Sequence, residues 1–126
     1  MDQKAILSLT RIINELRMIE PDFPASYAAA LFSVAKHIST HGEEPSVGEI
    51  ADSIGIYRPS MSRIVLSMSD RRLGNRKSGE APSENSRKSV GLLTRTPDPN
   101  DLRMIRVGLT PKGRGLVNRL TDHLVV

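Results

Sequence analysis

The chain has 126 residues, of which 38% are hydrophobic and 25% are charged, and its formal net charge is +4. This length and composition are typical of one globular domain whose core needs no disulfide or metal to stabilise it. The sequence contains no cysteine, which excludes disulfide frameworks, cysteine-ligated metal sites and thiol redox centres. We find neither an apolar run of the roughly 18 residues that span a bilayer nor a signal-peptide pattern, so we expect a cytoplasmic protein without a membrane partner.

Charge is unevenly distributed along the sequence. Residues 1–45 contain four basic and six acidic side chains, whereas residues 70–109 contain nine basic and five acidic ones. A basic surplus in the second half is compatible with an anionic partner such as nucleic acid, and equally with a solvated basic face.

The first forty residues predict two helices. Segment 2–20 repeats apolar residues at spacings of three and four, which indicates an amphipathic helix that Pro21 and Pro24 bring to an end. Its apolar face is wide enough to contact more than its own domain. Segment 25–40 is rich in alanine and predicts a second, largely buried helix. The repeated apolar positions of the two helices are Ile6, Leu9, Ile13 and Leu16, and then Ala28, Leu31, Ala35 and Ile38.

A helix-turn-helix pattern follows. Ser46 and Glu49 have the spacing of a capping box, in which each side chain accepts a hydrogen bond from the backbone N–H of the other. The short helix that they begin ends at Gly55, and Pro59 suits the first turn of the next helix because its missing N–H costs nothing there. The inner face of this next helix is predicted to hold Met61, Ile64, Val65 and Met68, which leaves Tyr57, Arg58, Ser60, Ser62, Arg63 and Ser67 facing outward.

The last third of the chain predicts a loop, a hairpin and a helix. Residues 70–90 have almost no large apolar side chains, so we expect a flexible basic loop. Segments 92–96 and 104–109 predict two strands joined by a turn over residues 97–103. Segment 111–126 predicts a final helix, with Thr110 as its N-cap, Pro111 in its first turn, and Leu116, Leu120 and Leu124 along one face to the C-terminus.

This order of elements predicts a mainly α-helical fold with a small β-hairpin, the winged helix-turn-helix. In that fold the second helix of the helix-turn-helix enters the DNA major groove, where each base pair presents its own pattern of donors and acceptors. Arg103 lies near the predicted hairpin tip, and a narrow minor groove attracts a guanidinium group at that position.

The sequence resembles the MarR family of winged-helix transcription regulators. The strongest match runs from Leu92 to Arg103 and continues through Leu109-Thr110-Pro111-Lys112-Gly113, and Ser46 to Met68 fits the family's helix-turn-helix in spacing and apolar pattern. The resemblance implies a single domain over residues 1–126, with dimerisation helices at 1–20 and 111–126. It further implies a winged helix-turn-helix over 25–110 that contains the flexible basic insertion 70–90.

The resemblance also implies a function. Such proteins are homodimers that bind pseudo-palindromic operators, commonly as repressors, and that a small molecule can release from DNA. The recognition helix would be residues 58–69 and the wing residues 97–103, with Asp101 bracing Arg103 in the minor groove, and no cofactor is implied. The DNA-binding residues would be Tyr57, Arg58, Pro59, Ser60, Ser62, Arg63, Arg71, Arg72, Arg95, Asp101 and Arg103.

Three features depart from the family pattern. Leu102 stands where the first arginine of the wing-tip pair is expected, which removes one cation from the wing. Residues 74–90 form the apparent insertion, whose basic side chains would either contact phosphates or stay in solvent. The chain ends at Val126, which leaves a final helix shorter than the family usually brings to its dimer.

Several alternatives stay open at this stage. His37 and His41 have a spacing that can present two imidazoles to a metal ion, or they interact with helix-end carbonyls. Phe23, Tyr27 and Phe32 belong to the core or line an effector pocket. A winged helix can also be a protein-interaction module, such as an antirepressor or a polymerase-binding factor. Three histidines, no cysteine and no glycine-rich phosphate loop after a strand give little support to an enzyme.

Overall fold

The computed structural model describes residues 1–69 and 90–124. These residues form five α-helices and one hairpin in the predicted order, which confirms the predicted fold class. The predicted loop 70–90, except for residue 90, lies outside the described residues, as do Arg71 and Arg72. The elements are α1 Gln3–Ile19, α2 Ala25–His41, α3 Val47–Ile54, α4 Arg58–Met68, β1 Leu93–Asp98, β2 Asp101–Leu109 and α5 Pro111–Asp122.

Side chains cap three of the helices at the positions where they begin. The Asp2 carboxylate accepts hydrogen bonds from the first turn of α1 at 2.9 and 3.1 Å. The predicted capping box of α3 is confirmed, because Ser46 and Glu49 bond each other's backbone N–H groups, both at 3.1 Å. Gly55 ends α3 with a φ of +80°, a left-handed conformation that glycine adopts without steric cost. This glycine makes the tight turn between α3 and α4.

The core lies where α2 meets the helix-turn-helix, the hairpin and α5. Leu31 of α2 is completely buried, as predicted, but Ala35 and Ile38 are half-buried. The other two buried residues of α2, Ala30 and Val34, lie off the predicted face, because this helix contacts elements on more than one side. The buried apolar residues are Leu16, Ala30, Leu31, Val34, Ile50, Ala51, Met61, Val65, Met68, Leu92, Leu93, Val107, Leu116 and Leu120.

Helix α1 leaves much of its apolar face uncovered. Leu16 is 4% exposed, whereas Ile6, Leu9 and Ile13 on the same face are 45%, 60% and 53% exposed. The helix is joined to α5 by Glu15, whose carboxylate accepts hydrogen bonds from Arg119 Nε at 3.3 Å and pairs with His123 Nε2 at 3.2 Å. The wide apolar face predicted from the sequence therefore exists, and most of it faces solvent.

The hairpin has a tighter turn than the sequence predicts. Residues 97–103 were expected to form the turn, but β1 and β2 continue until two residues, Pro99 and Asn100, remain between them. The Asp98 carboxylate makes this possible by accepting hydrogen bonds from the N–H groups of Asn100 at 2.7 Å and Asp101 at 3.3 Å. Pro97 lies within β1, opposite Ile105, because an edge strand tolerates proline.

Helix α5 is shorter than predicted. It ends at Asp122, and Leu124 lies beyond it with 49% of its surface exposed. The predicted helical continuation through Leu124 is therefore wrong. The His123 N–H still bonds the Leu120 carbonyl at 3.2 Å, and the His123 ring pairs with Glu15 of α1.

The start of α5 packs directly on the backbone that precedes β1. Thr110 caps the helix by accepting from the Gly113 N–H at 2.9 Å, and its hydroxyl donates to the Gly91 carbonyl at 2.7 Å. A Cβ atom at Gly113 would overlap the Leu92 carbonyl oxygen. The threonine and glycine of the Leu-Thr-Pro-Lys-Gly run thus fasten α5 to the base of the hairpin.

Candidate nucleic-acid interface

A groove of about 510 Å³ lies between the starts of α3 and α4 and the hairpin. Three guanidinium groups line it, from the first residue of α4, from β1 and from β2. One carboxylate, that of Asp101, lies among them. The lining residues that bear on function are Gly48, Arg58, Ser62, Arg95, Asp101 and Arg103.

Arg58 is held at the edge of this groove. Its Nη2 donates to Asp52 Oδ2 at 3.0 Å, with both side chains 67% exposed. The guanidinium also lies across the start of α3, since a Cβ atom added to Gly48 would come within 3.2 Å of Arg58 Cζ. Tyr57, the N-cap residue of α4, provides no side-chain cap, so this helix end keeps N–H groups and a partial positive charge that suit an anion.

The hairpin contributes two arginines of different character. Arg103 is 93% exposed, and Asp101 Oδ1 accepts from its backbone N–H at 3.1 Å and from its Nε at 3.4 Å. Arg95 is half-buried, and its buried Nε has no hydrogen-bond acceptor among the described residues. Arg103 can therefore extend away from the protein, whereas Arg95 offers a half-buried charge inside the groove.

Arg106 connects the hairpin to the helix-turn-helix, a role that the sequence analysis missed. Its Nε donates to Asp98 Oδ2 at 2.8 Å, and its Nη1 donates to Glu49 Oε1 at 3.1 Å and to the Glu44 carbonyl at 3.3 Å. The hydrogen bond from Arg106 lowers the pKa of Asp98, while the same bond raises the pKa of Arg106. The pKa of Glu49 is lowered chiefly by the backbone N–H of Ser46, with Arg106 and His37 adding smaller attractions.

The structure brings five of the predicted site residues to one groove and leaves others outside it. Tyr57, Pro59 and Arg63 are exposed on α4 but do not line the groove, and Ser60 is half-buried. The sequence analysis did not identify Gly48, which lines the groove, or Asp52, which pairs with Arg58. A turn separates Asp52 from Arg58, so no helical spacing relates these two residues. The five that come together are Arg58, Ser62, Arg95, Asp101 and Arg103.

A second hollow, of about 400 Å³, lies between α2 and α3. Phe32 lines it and is 43% exposed. The His37 and His41 rings also line it, with centroids 4.5 Å apart, and His37 Nε2 lies 3.8 Å from Glu49 Oε2. Among the described residues, no three side chains of the metal-ligating types come close enough to hold an ion.

The other two aromatic residues support the core interpretation. Phe23 and Tyr27 pack edge to face with ring centroids 5.9 Å apart, and both contact the buried cluster. Of the three aromatic candidates, Phe32 lines the hollow between α2 and α3. In the part of the chain that the structure describes, no helix combines the length and apolarity required to cross a membrane.

Comparison with known proteins identifies the fold. No family model and no curated protein sequence matches the chain. Solved structures do match. The S. aureus MepR–DNA complex superposes with a TM-score of 0.63 at 19% identity over 91% of this chain and 73% of MepR. The transcriptional repressor CouR, bound to a 23-mer DNA duplex, gives a TM-score of 0.58 at 19% identity over 94% of this chain and 65% of CouR.

A third structure carries the family name. A MarR transcriptional regulator from Methanosarcina mazei Go1 matches with a TM-score of 0.54 at 19% identity, over 94% of this chain and 68% of that regulator. The chain therefore has the fold of MarR-type winged-helix regulators, and the resemblance noted from the sequence is confirmed at the level of fold. MepR has also been solved with ethidium bromide bound.

Proposed function

We propose that this protein is a MarR-family transcription regulator that binds double-stranded DNA sequence-specifically as a homodimer and acts as a repressor. One observation carries the proposal: the start of α4 and the arginines of the hairpin line the same groove, so that a single duplex can contact both. Two proteins with this fold, MepR and CouR, have been solved on DNA. The protein would be a DNA-binding protein and not an enzyme. It would act in the cytoplasm, with residues 1–126 as one domain.

The residues divide into two kinds of DNA contact. Helix α4 would lie in the major groove, where Ser62 and Arg63 would read base edges. Arg58 and Arg95 would contact phosphates, because a guanidinium group can bind a phosphate in a bidentate geometry. Arg103, braced by Asp101, would enter the minor groove. Phosphate contacts would provide most of the affinity, and α4 most of the specificity.

The homodimer is part of the proposal because of the uncovered face of α1. Ile6, Leu9 and Ile13 are about half exposed on one face, and burial of such side chains stabilises an interface by roughly 25 cal/mol per Å² of apolar surface. Replacing Ile13 with glutamate should give a monomer in sedimentation velocity, because a carboxylate would be buried at the interface. Replacing Arg11, also exposed on α1, with glutamine changes the net charge by the same one unit and is the control. A monomeric wild-type chain would contradict this part of the proposal.

Selection of bound duplexes from a random pool tests the function directly. We expect a palindromic consensus whose half-sites lie about one helical turn, roughly 34–36 Å, apart. Binding to that consensus should weaken steeply with salt, with a log–log slope near −0.9 for each phosphate neutralised. Failure to enrich any duplex would refute DNA recognition.

The second candidate is a winged helix that binds another protein instead of DNA. The modest net charge of +4 and the exposed Leu102 at the wing, 76% accessible, favour it. This candidate predicts no duplex enrichment and no dependence on phosphate neutralisation. A small-molecule effector belongs to the first candidate, and the ethidium complex of MepR supports it by analogy of fold.

A further inference from the structure

Among the contacts that join the hairpin to the helix-turn-helix, two connect β2 to the region where α3 begins. At its base, the Val107 N–H donates to the Pro45 carbonyl at 2.8 Å, which adds the segment before α3 to the edge of β2. Farther along, the Arg106 side chain bonds both Asp98, next to the turn, and Glu49 of α3. The backbone contact fixes the base of the hairpin, and the arginine fixes the end that carries the tip.

Both carboxylates that Arg106 contacts also shape their own element. Asp98 uses Oδ1 to hold the two-residue turn and Oδ2 to accept from Arg106. Glu49 uses Oε1 to accept from the Ser46 N–H and from Arg106. The guanidinium therefore connects the wing turn to the first turn of α3 through two carboxylates that are already fixed.

Arg106 differs from Arg58 and Arg103 in exposure and partners. Its side chain is 29% exposed, against 67% for Arg58 and 93% for Arg103. Two of its three guanidinium nitrogens already donate to protein acceptors, and it does not line the groove. A direct contact with DNA would need it to give up these bonds.

We infer that Arg106 is a positioning residue, which sets the orientation of the wing relative to α4 so that Arg103 reaches the minor groove while α4 occupies the major groove. The inference rests on the proposed function. Without the Arg106 contacts, the wing would have to be ordered when DNA binds. The free-energy cost of that ordering would weaken binding.

The test compares Arg106→Gln with wild type on a labelled duplex that carries the selected consensus. We expect the dissociation constant to rise by about 2- to 13-fold, the change that corresponds to ordering one long side chain on binding. The log–log salt slope should stay unchanged, because Arg106 neutralises no phosphate. Base preference at the outer, wing-contacted positions should weaken, and preference at the positions read by α4 should remain.

Two conservative variants make the test independent of folding. Asp98→Asn keeps an oxygen for the turn, and Glu49→Gln keeps a side chain that can complete the capping box, yet each loses the charge that attracts Arg106. Each should reproduce part of the Arg106→Gln effect. Each should also add little to that effect when combined with it, since residues of one network are not additive. Arg114→Gln on α5, where the arginine is exposed, is the control for loss of one positive charge.

The outcomes separate this inference from the proposed function. If wild type enriches no duplex, the proposed function fails. If wild type binds but Arg106→Gln, folded by circular dichroism, binds equally well, the positioning role is refuted. A salt slope that falls by about 0.9 would also overturn it, because Arg106 would then be a phosphate contact. Additive losses in the double variants would show that Asp98 and Glu49 do not act through Arg106.

Discussion

Replacing Arg103 with alanine should weaken DNA binding and leave the fold almost unaffected. The side chain is 93% exposed, and its one side-chain bond is the 3.4 Å contact with Asp101. Exposed substitutions of this kind usually change the free energy of unfolding by about 0.5 kcal/mol or less. The midpoint of urea unfolding should therefore match that of wild type.

The expected loss of affinity follows from the loss of a charged hydrogen-bonding group. Hydrogen bonds to charged groups contribute about 1.5–3 kcal/mol each, which corresponds to about 12- to 160-fold in the dissociation constant. A dimer presents two wings, so a loss of at least about tenfold is expected even when one wing dominates. The salt slope should become shallower, because fewer counterions are released from DNA.

Fluorescence anisotropy with the selected duplex, repeated at several salt concentrations, measures both quantities. Asp101→Asn is the matched control, since the amide oxygen can still accept from the Arg103 N–H while the ionic attraction is lost. We expect this control to bind with an intermediate constant. An unchanged constant for Arg103→Ala would refute the role of the wing, and a lowered urea midpoint would show that Arg103 supports the fold.

Two further predictions concern stability. Gly113→Ala should cost about 1–3 kcal/mol of unfolding free energy, because its Cβ would overlap the Leu92 carbonyl. The control Gly115→Ala has an open position, with its nearest atom at 3.6 Å, and should stabilise α5 by about 0.5–1 kcal/mol. Acid should destabilise the protein. The folded pKa values of Asp98 and Glu49 lie below their ordinary values of 3.8 and 4.5, so their contribution is complete above those values and is lost as pH falls through the folded pKa. Urea unfolding at pH 7 and pH 3 measures this loss, which Asp98→Asn should reduce. An equal loss in wild type and Asp98→Asn would contradict the assignment to that carboxylate.

Local patterns predicted most of the helices because the signals lie within a few residues of each other. The capping box at Ser46 and Glu49, the glycine at the end of α3 and the early Pro59 of α4 all work over one turn of helix. The hairpin turn was placed too broadly because Pro97 and Asp98 resemble turn residues. In the structure Asp98 shortens the turn with its side chain.

The site could be predicted only in part, for a related reason. Exposure along α4 identified Arg58 and Ser62, and the family resemblance identified Asp101 and Arg103. The contacts of Arg106 with Glu44 and Glu49 join residues 62 and 57 positions apart. No local spacing relates such residues, because their proximity arises when the hairpin folds back on α3.

The Glu49 carboxylate has two roles. It accepts from the Ser46 N–H, which caps α3, and it accepts from Arg106, which connects the hairpin to α3. A substitution at Glu49 should consequently have two effects. It should lower the stability of α3, and it should alter the position of the wing, which lies more than fifty residues away in sequence. Few substitutions of Glu49 should thus be tolerated. Arg103, by contrast, contributes little to the fold. Its identity should therefore be constrained mainly by the DNA that it contacts, and it can change when the operator changes.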